Sequence, residues 1–445
     1  MFQRRDDTLK KVFYPRDDIP KELFMGISLV WNNSIKWVDG VVIIDFNISP
    51  NVRREPEKFP GLPDNLEILV YRKEATGFFY NKMRSEYFET EDFSEAQLVF
   101  EGKPERKSEN MFRWTDSNIE KNKVYTYWIT TEMNDSPVSP MAVRAVDNDV
   151  IWTHEKTLFE SKRIADSYEG VIYENYGYSV KGREMVTLKK GNMDQAVVII
   201  GGVHAAEAGQ FTALDVMENL LKTQDESFFE KVGIAIMPSA NPDEADRMAS
   251  GYTSYLRVNS AGVDLNRNFP ADWEIVNEMY GLSTDDPESL TYRGPRPASE
   301  PETQAIIKFI ESLTPISLFS LHCYPGGITY DQFFGPGVGA EDEAYVKKCK
   351  ELAIPYSDKF RKGEYPGQLF LAYGTTPGSL PVWMYRNYHV PAFDMEAWDY
   401  FVRKHETALQ ACEFGADVEL MKELSGRHYR GMVNYLDAFI SSKEK

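Results

Sequence analysis

Residues 196–207 read AVVIIGGVHAAE, an apolar run followed by two glycines and then by a histidine and a glutamate three positions apart. The apolar run predicts a buried strand, so His204 and Glu207 are expected at its carboxyl end. A catalytic zinc takes three protein ligands and leaves one position open, and a His/Glu/His set is a recurring choice. The pair therefore predicts half of a zinc site, although a strand-end histidine beside a surface glutamate would leave the same pattern.

A third ligand is predicted at the end of a second buried strand. The run ISLFSL at 316–321 reads as that strand, and His322 follows it directly. Open α/β sheets bind their ligands at the carboxyl ends of the strands. His322 is therefore expected beside His204 and Glu207, and the three residues predict one Zn²⁺ per chain. The other histidines have no partner at ligand spacing: His154, His389, His405 and His428.

Two further segments carry groups that a hydrolytic zinc site needs. LRVNSAGVDLNRNFP at 256–270 supplies two arginines, and an arginine fork binds a carboxylate through two parallel charge-assisted hydrogen bonds. AFDMEAWD at 392–399 supplies Glu396 after the apolar run HVPAF. The aromatic residues around Glu396 predict an apolar setting that raises its pKa toward the range useful for a general base.

Six motifs follow one another in a fixed order between residues 204 and 396. They are His-x-x-Glu (204–207), Asn-Pro-Asp (241–243), Asp-x-Asn-Arg-Asn-Phe (264–269), His-x-Tyr (322–324), a Tyr before a Gly-Ser segment (373–379) and a late glutamate, Glu396. In this order the chain resembles the zinc carboxypeptidases of the carboxypeptidase A type. The segments RVNSAGVDLNRNFP and TTPGSLP are more similar to bacterial enzymes that cut the γ-D-glutamyl–diaminopimelate bond of peptidoglycan peptides than to the digestive carboxypeptidases.

The resemblance implies a glutamate-assisted zinc-water mechanism. It implies zinc ligation by His204, Glu207 and His322. Asp264 would orient a ligating imidazole, and Glu396 would take a proton from the zinc water and pass it to the leaving amine. Arg257 would stabilise the oxyanion. Arg247 is the alternative, because the segment between Arg257 and Asp264 is shorter than in the pancreatic enzymes.

The resemblance also implies how a substrate binds. Asn266 and Arg267 would bind its terminal carboxylate, and Tyr373 would close over it, although the segment 371–383 is one residue longer than the family pattern. Side-chain preference would be set by three uncharged residues, Leu380, Pro381 and Val382. Their lack of charge argues against a preference for lysine or arginine ends.

Composition excludes several other classes of protein. The 445 residues include 50 basic and 69 acidic side chains, a formal net charge of −19, which argues against nucleic acid or an anionic membrane as partner. No apolar stretch reaches the length of a transmembrane helix. Three cysteines form no disulfide framework or metal motif, and Cys323, next to His322 in the chain, is expected to be a buried apolar residue. The charged N-terminus lacks a signal-peptide core, which predicts a cytoplasmic protein unless a leader was removed.

The pattern of the chain changes near residue 150. After an extension at 1–19, short β-rich runs such as GVVIIDFNI and NLEILVYRK alternate with turn clusters, which predicts an antiparallel β-sandwich over 20–148. The run at 123–147 resembles the closing strands of a fibronectin type III domain, and another β-rich topology is the alternative. Strands then alternate with helices, which predicts an α/β catalytic domain over 155–440 with a mixed, mostly parallel sheet covered by helices on both faces, of the carboxypeptidase type.

Three classes of function are compatible with these features. The favoured one is a zinc metallocarboxypeptidase that hydrolyses the C-terminal bond of peptides, with a γ-D-glutamyl–diaminopimelate peptidase acting on peptidoglycan peptides as the alternative. A zinc deacylase of the aspartoacylase or succinylglutamate desuccinylase type is similar around His204 and Asp264 but lacks the long spacing to a segment like that of Glu396. A catalytically silent binding module normally lacks a ligand or the base, and here none is missing.

Overall fold

The computed structural model describes residues 28–50, 62, 64–74, 93–121, 123–131, 141–207, 209–252, 256–276, 283–322, 332–360, 370–396 and 418–443. The extension at 1–19, Cys323 and His405 lie outside these ranges. The described residues divide into two compact units, with the boundary near Val143.

The first unit contains two four-stranded sheets, in the orders β1-β2-β6-β5 and β4-β3-β7-β8. The strands are β1 Ser28–Val38, β2 Val41–Pro50, β3 Ile68–Glu74, β4 Gln97–Gly102, β5 Glu105–Arg106, β6 Met111–Asp116, β7 Val124–Thr131 and β8 Met141–Arg144. Strands β1, β2, β5 and β6 pair antiparallel, as do β3, β4 and β7.

Alternation along β2 explains the core of this unit. Val42, Ile44, Phe46 and Ile48 are all fully buried, because every second side chain of a strand points to the same face. Asp116 joins the two sheets, accepting hydrogen bonds from Arg72 on β3 (2.7 Å) and from the hydroxyl of Tyr127 on β7 (3.0 Å). The antiparallel sheets agree with the expected β-rich region, while the fibronectin type III label stays a prediction.

The second unit is built on an eight-stranded sheet of order β15-β14-β16-β13-β11-β12-β10-β9. The strands are β9 Ile172–Tyr178, β10 Glu184–Gly191, β11 Ala196–Gly201, β12 Gly233–Met237, β13 Pro315–His322, β14 Gln332–Pro336, β15 Phe370–Thr375 and β16 Ala392–Glu396. Strands β12, β11, β13 and β16 run parallel to one another, and β15 runs parallel to β14. The β9–β10, β10–β12 and β14–β16 pairs are antiparallel, so the mixed, mostly parallel sheet is confirmed.

Helices cover both faces of this sheet. They are α1 His154–Ser167, α2 Gly209–Thr223, α3 Glu226–Lys231, α4 Pro242–Ala249, α5 Pro301–Glu311, α6 Glu343–Phe360, α7 Leu380–Tyr388 and α8 Val418–Lys443. On one face, Phe309 of α5 and Trp383 of α7 belong to the same apolar core as β11. On the other, Phe319 of β13 packs against Tyr356 of α6 and Tyr435 of α8, with ring centroids 5.3 and 4.9 Å apart. None of the described helices is long and apolar enough to cross a membrane.

Two glycines bring α2 against the end of β11. A Cβ on Gly201 would lie 2.6 Å from the carbonyl oxygen of Gly209, and a Cβ on Gly209 would lie 2.4 Å from the amide nitrogen of Gly202. Either distance is a steric clash, so only glycine permits this approach. The packing fixes the turn that carries His204 and Glu207.

Candidate metal centre

The site lies where three neighbouring parallel strands end. His204 follows β11, His322 is the last residue of β13, and Glu396 is the last residue of β16. Gly201 pairs in register with Leu321, and His322 pairs with Glu396. Because the carboxyl ends of parallel strands meet at one edge, residues from three distant parts of the chain are brought to the same edge of the sheet.

His204, Glu207 and His322 converge as the sequence predicts. The Nδ1 atoms of the two histidines lie 3.0 and 2.8 Å from the two carboxylate oxygens of Glu207. All three side chains are buried, and one ligand atom from each lies within 4.8 Å of the others. In the part of the chain that the structure describes, this is the one cluster of histidine, cysteine and carboxylate groups able to hold a metal. One carboxylate oxygen and two imidazole nitrogens form a donor set that fits catalytic zinc.

A carboxylate lies behind each imidazole. The Nε2 atom of His204 is 3.1 Å from Oδ1 of Asp264, the partner that the resemblance implied. The Nε2 atom of His322 is 2.8 Å from Oγ of Ser320 and 3.2 Å from Oδ1 of Asp394.

Sequence reasoning missed Ser320 and Asp394. One signal could have found them, since each stands two positions before a site residue on the same strand, and residues i and i+2 share a face. In β13 and β16, Ser320 pairs directly with Asp394.

The charges of the site shift its pKa values in opposite directions. Burial by itself would raise the pKa of Glu207, but the charges and hydrogen bonds of His204 and His322 hold it far below its usual range. Burial by itself would likewise raise the pKa of Asp264, but the charges of Arg257 and, to a smaller extent, Arg267 hold it far below its usual value. Burial would lower the pKa of His322, but Asp394 and Glu207 raise it well above its ordinary value.

Glu396 is a buried carboxyl group at the end of β16. Burial raises its pKa to about 8, and the carboxylates of Glu207 and Asp394 act in the same direction. Its Oε2 atom is buried and has no hydrogen-bond partner among the described residues. An unpartnered carboxylate oxygen costs free energy when buried, so its position beside the ligand cluster is compatible with a water or substrate as its missing partner.

Arg257 and Arg247 lie in different surroundings. Nε and Nη2 of Arg257 are 2.9 and 2.8 Å from Oδ2 of Asp264, which places Arg257 in the wall of the site. Arg247 instead pairs with Glu244 and stacks over the ring of Tyr252, 3.9 Å from its centroid.

The Asp-x-Asn-Arg segment forms a short 3₁₀ turn, Leu265–Arg267, in which Asp264 accepts a hydrogen bond from the backbone nitrogen of Asn266 (3.0 Å). The side-chain amide of Asn266 donates to Oδ2 of Asp394 (2.8 Å) and accepts from the backbone nitrogen of Leu380 (2.9 Å). Arg267 is buried, and its Nη1 donates to the carbonyl of Asn266. Gly378 permits this packing, since its φ is +77° and a Cβ there would lie 2.3 Å from the carbonyl oxygen of Arg267.

The remaining predicted residues are placed as follows. Leu380, Pro381 and Val382 form the first turn of α7 and are buried in the apolar core or beside it. The backbone of Tyr373 belongs to β15, and its side chain lies outside the part that the structure describes. His428 is buried against Tyr356, and His389 is exposed beside Asp342, both away from the cluster.

A His/Glu/His cluster with a buried glutamate beside it, at the carboxyl edge of a mixed α/β sheet, defines the class of hydrolytic zinc enzymes. The family model described as zinc carboxypeptidase matches residues 161–412. The chain therefore belongs to the zinc carboxypeptidase family, a family of metallopeptidases.

Individual relatives agree with this assignment. A metallocarboxypeptidase A-like protein of Trichophyton verrucosum is 37% identical over 154 residues, which are 31% of this chain and 35% of the relative. Human carboxypeptidase O is 26% identical over 269 residues, 55% of this chain and 71% of the relative. Murein peptide amidase A of Escherichia coli is 29% identical over 153 residues, 34% of this chain and 58% of the relative.

The fold agrees as well. The crystal structure of carboxypeptidase A from Helicoverpa armigera superimposes with a TM-score of 0.55 at 17% identity, covering 67% of this chain and 76% of that one. The matches to the fungal protein and to the murein amidase span less than two thirds of those relatives' own lengths.

Proposed function

We propose that this protein is a zinc-dependent metallocarboxypeptidase that hydrolyses the C-terminal peptide bond of peptides with a free carboxylate. The observation that carries the proposal is the position of Glu396. Glu396 pairs in register with His322, one member of the metal-ligand cluster, and one buried oxygen of its carboxylate has no partner among the residues that the structure describes.

His204, Glu207 and His322 would hold the zinc ion, which when bound supplies a Lewis acid and lowers the pKa of water in the site. Glu396 accepts a proton from the attacking water and delivers it to the nitrogen of the leaving amine. A zinc cation in the cluster would lower this raised pKa, in the same direction as the charges of His322 and Arg257, and the carboxylate form would then accept the proton.

Substrate recognition is assigned to the segment that follows Asp264. We infer that Arg267 and the amide of Asn266 bind the terminal carboxylate, Arg267 through charge-assisted hydrogen bonds. Arg257 stabilises the oxyanion of the tetrahedral intermediate, and its contact with Asp264 supports its orientation. We assign to Tyr373 the closing over the substrate, and to the buried residues Leu380, Pro381 and Val382 the uncharged wall behind the side-chain pocket.

A second candidate substrate is a bacterial cell-wall peptide. The similarity to murein peptide amidase A favours it, together with the segment RVNSAGVDLNRNFP. Diaminopimelate carries a carboxylate next to the bond that would be cut, so Arg267 and Asn266 would serve both substrates in the same way.

One experiment separates the two candidates. The protein is incubated with a peptide library of varied C-terminal residues and, in parallel, with purified muropeptides, and the products are identified by mass spectrometry. Glu396→Gln is the inactive control. Trimming of apolar C-terminal residues supports the carboxypeptidase. Release of diaminopimelate fragments without trimming of peptides supports the alternative, and trimming of arginine ends contradicts the uncharged pocket.

A further inference from the structure

We propose that Asp394 is a positioning residue that links the metal-ligand cluster to the carboxylate-binding segment. One oxygen of its carboxylate lies 3.2 Å from Nε2 of His322, and the other accepts a hydrogen bond of 2.8 Å from the side chain of Asn266. A single buried carboxylate therefore contacts both a proposed zinc ligand and a proposed substrate ligand. The part that concerns Asn266 rests on the proposed function; the part that concerns His322 does not.

The contact with His322 fixes which ring nitrogen faces the metal position. Nε2 makes its hydrogen bond with Oγ of Ser320, and the negative charge of Asp394, 3.2 Å from Nε2, favours a proton on this nitrogen. The lone pair of Nδ1 then points toward Glu207, which is 2.8 Å away. Asp264 does the same for His204 at 3.1 Å. Both histidine ligands are thus backed by a carboxylate, an arrangement that fixes ring orientation and strengthens the ligand.

The contact with Asn266 fixes the orientation of an amide. The backbone nitrogen of Leu380 donates to one end of that amide, at 2.9 Å, so this end is the oxygen. The nitrogen end faces Asp394. An amide nitrogen carries two donors, and Asp394 takes one of them. The other donor is then held in a fixed direction for the terminal carboxylate of a substrate.

Asp394 is placed for both contacts by the sheet. It precedes Glu396 by two positions on β16, so the two side chains share a face, and it pairs in register with Ser320 on β13. Ser320 is the competing support for His322, because its Oγ lies 2.8 Å from the same Nε2 atom. Ser320 carries no charge and does not replace the contact of Asp394 with Asn266, so variants of Ser320 and Asp394 distinguish the two roles.

The first measurement is zinc affinity by competition with a chromophoric chelator, which needs no substrate. Asp394→Asn should bind zinc roughly 10- to 100-fold more weakly than wild type, the usual cost of losing such a support. Asp264→Asn, which removes the matching carboxylate behind His204, should show a loss of the same size. Asp342→Asn is the matched control, since Asp342 also lies 3.2 Å from a histidine Nε2, that of His389, and should leave the affinity unchanged.

Wild-type zinc affinity in Asp394→Asn together with a loss in Ser320→Ala would overturn the proposal, because Ser320 would then hold the ring alone. Near-UV circular dichroism of each metal-free variant establishes folding. If Asp394→Asn does not fold, Asp394→Thr keeps an acceptor for Asn266 without the charge and should show the same loss of zinc affinity.

The second measurement is kinetic and is made at saturating zinc. Asp394→Asn should raise KM for a substrate with a free carboxylate at least 10-fold, with a smaller fall in kcat, and should leave the KM of the matched C-terminal amide unchanged. An unchanged KM for the free acid would overturn the link to Asn266. A protein that hydrolyses no peptide at all would refute the proposed function, and the zinc measurement would still decide the role of Asp394 at His322.

Discussion

His322 and Glu396 pair directly opposite each other at the carboxyl ends of β13 and β16. A proposed metal ligand and the proposed base are therefore fixed by the register of two neighbouring parallel strands rather than by a loop. Strand ends of a covered sheet hold side chains more rigidly than loops do. Glu396 is thus expected to keep its place when the metal is removed.

Metal content tests the ligand cluster. Elemental analysis of the purified protein should give about one zinc per chain, because three protein ligands and an open position suffice for catalytic zinc. His322→Ala should lose both metal and activity. Stoichiometric metal in the double variant His204→Ala/His322→Ala would show that the metal binds elsewhere.

Replacement of Glu396 by glutamine should separate binding from turnover. Glu396→Gln keeps the shape of the side chain, so the variant should fold and retain zinc. Its kcat should fall by roughly 10²- to 10⁴-fold, the usual cost of losing a general base. Zinc content and kcat measured on the same sample check this, and a kcat near that of wild type would mean that the proton goes to another group.

Arg257 and Arg247 offer a matched pair for the oxyanion role. Arg257 contacts Asp264 in the site wall, whereas Arg247 pairs with Glu244. Arg257→Ala should lower kcat by roughly 10²- to 10³-fold, as loss of an oxyanion donor does. Arg247→Ala should stay close to wild type. A reversal of the two results would transfer the role to Arg247.

Removal of Arg267 should slow the hydrolysis only of substrates with a free C-terminal carboxylate. Arg267→Ala should weaken transition-state binding by ~2–4 kcal/mol and lower kcat/KM accordingly, since the substrate carboxylate then loses its charged partner. That energy corresponds to roughly 30- to 1,000-fold in rate. The C-terminal amide of the same peptide is the control. An equal loss of kcat/KM for the acid and for the amide would show that Arg267 does not bind the carboxylate.

His428 should make folding stability depend on pH. His428 lies on α8 and is buried against Tyr356 of α6, whose hydroxyl is 2.6 Å from Nδ1 of the histidine. Burial lowers the pKa of His428 from 6.5 to about 3. Below pH 6.5 the unfolded chain binds a proton at this histidine that the folded protein does not. Above pH 6.5 His428 therefore does not reduce the free energy of unfolding. Between pH 6.5 and pH 3 this free energy falls, as the pH is lowered, by up to about 1.4 kcal/mol per pH unit.

Urea unfolding of wild type and His428→Gln between pH 7 and pH 5 measures this contribution. The other titrating groups are common to both proteins, so the difference between the two slopes belongs to His428. Glutamine keeps a group that can form a hydrogen bond with the hydroxyl of Tyr356. Identical slopes would mean that His428 does not titrate differently in the folded and unfolded states.

The sequence by itself predicted the buried strands and the three residues of the His204, Glu207 and His322 cluster. Continuous apolar runs at 196–200 and 316–321 predict buried parallel strands, and both are observed as β11 and β13. His204, Glu207 and His322 were predictable because each stands at or just after a strand end, where local pattern alone places a side chain. Alternation of strands and helices was enough to predict that helices cover both faces of the sheet.

Only the tertiary structure decided which groups support these ligands. Ser320 and Asp394 are adjacent because β13 and β16 pair in one particular register, although 73 residues separate them in the chain. No local pattern contains that register, since it depends on how the whole sheet packs. The same reason explains Asn266, whose amide is oriented by Asp394 and by the backbone of Leu380. The sequence pattern shows where a strand ends, whereas packing between distant segments decides which side chains of other strands lie next to that end.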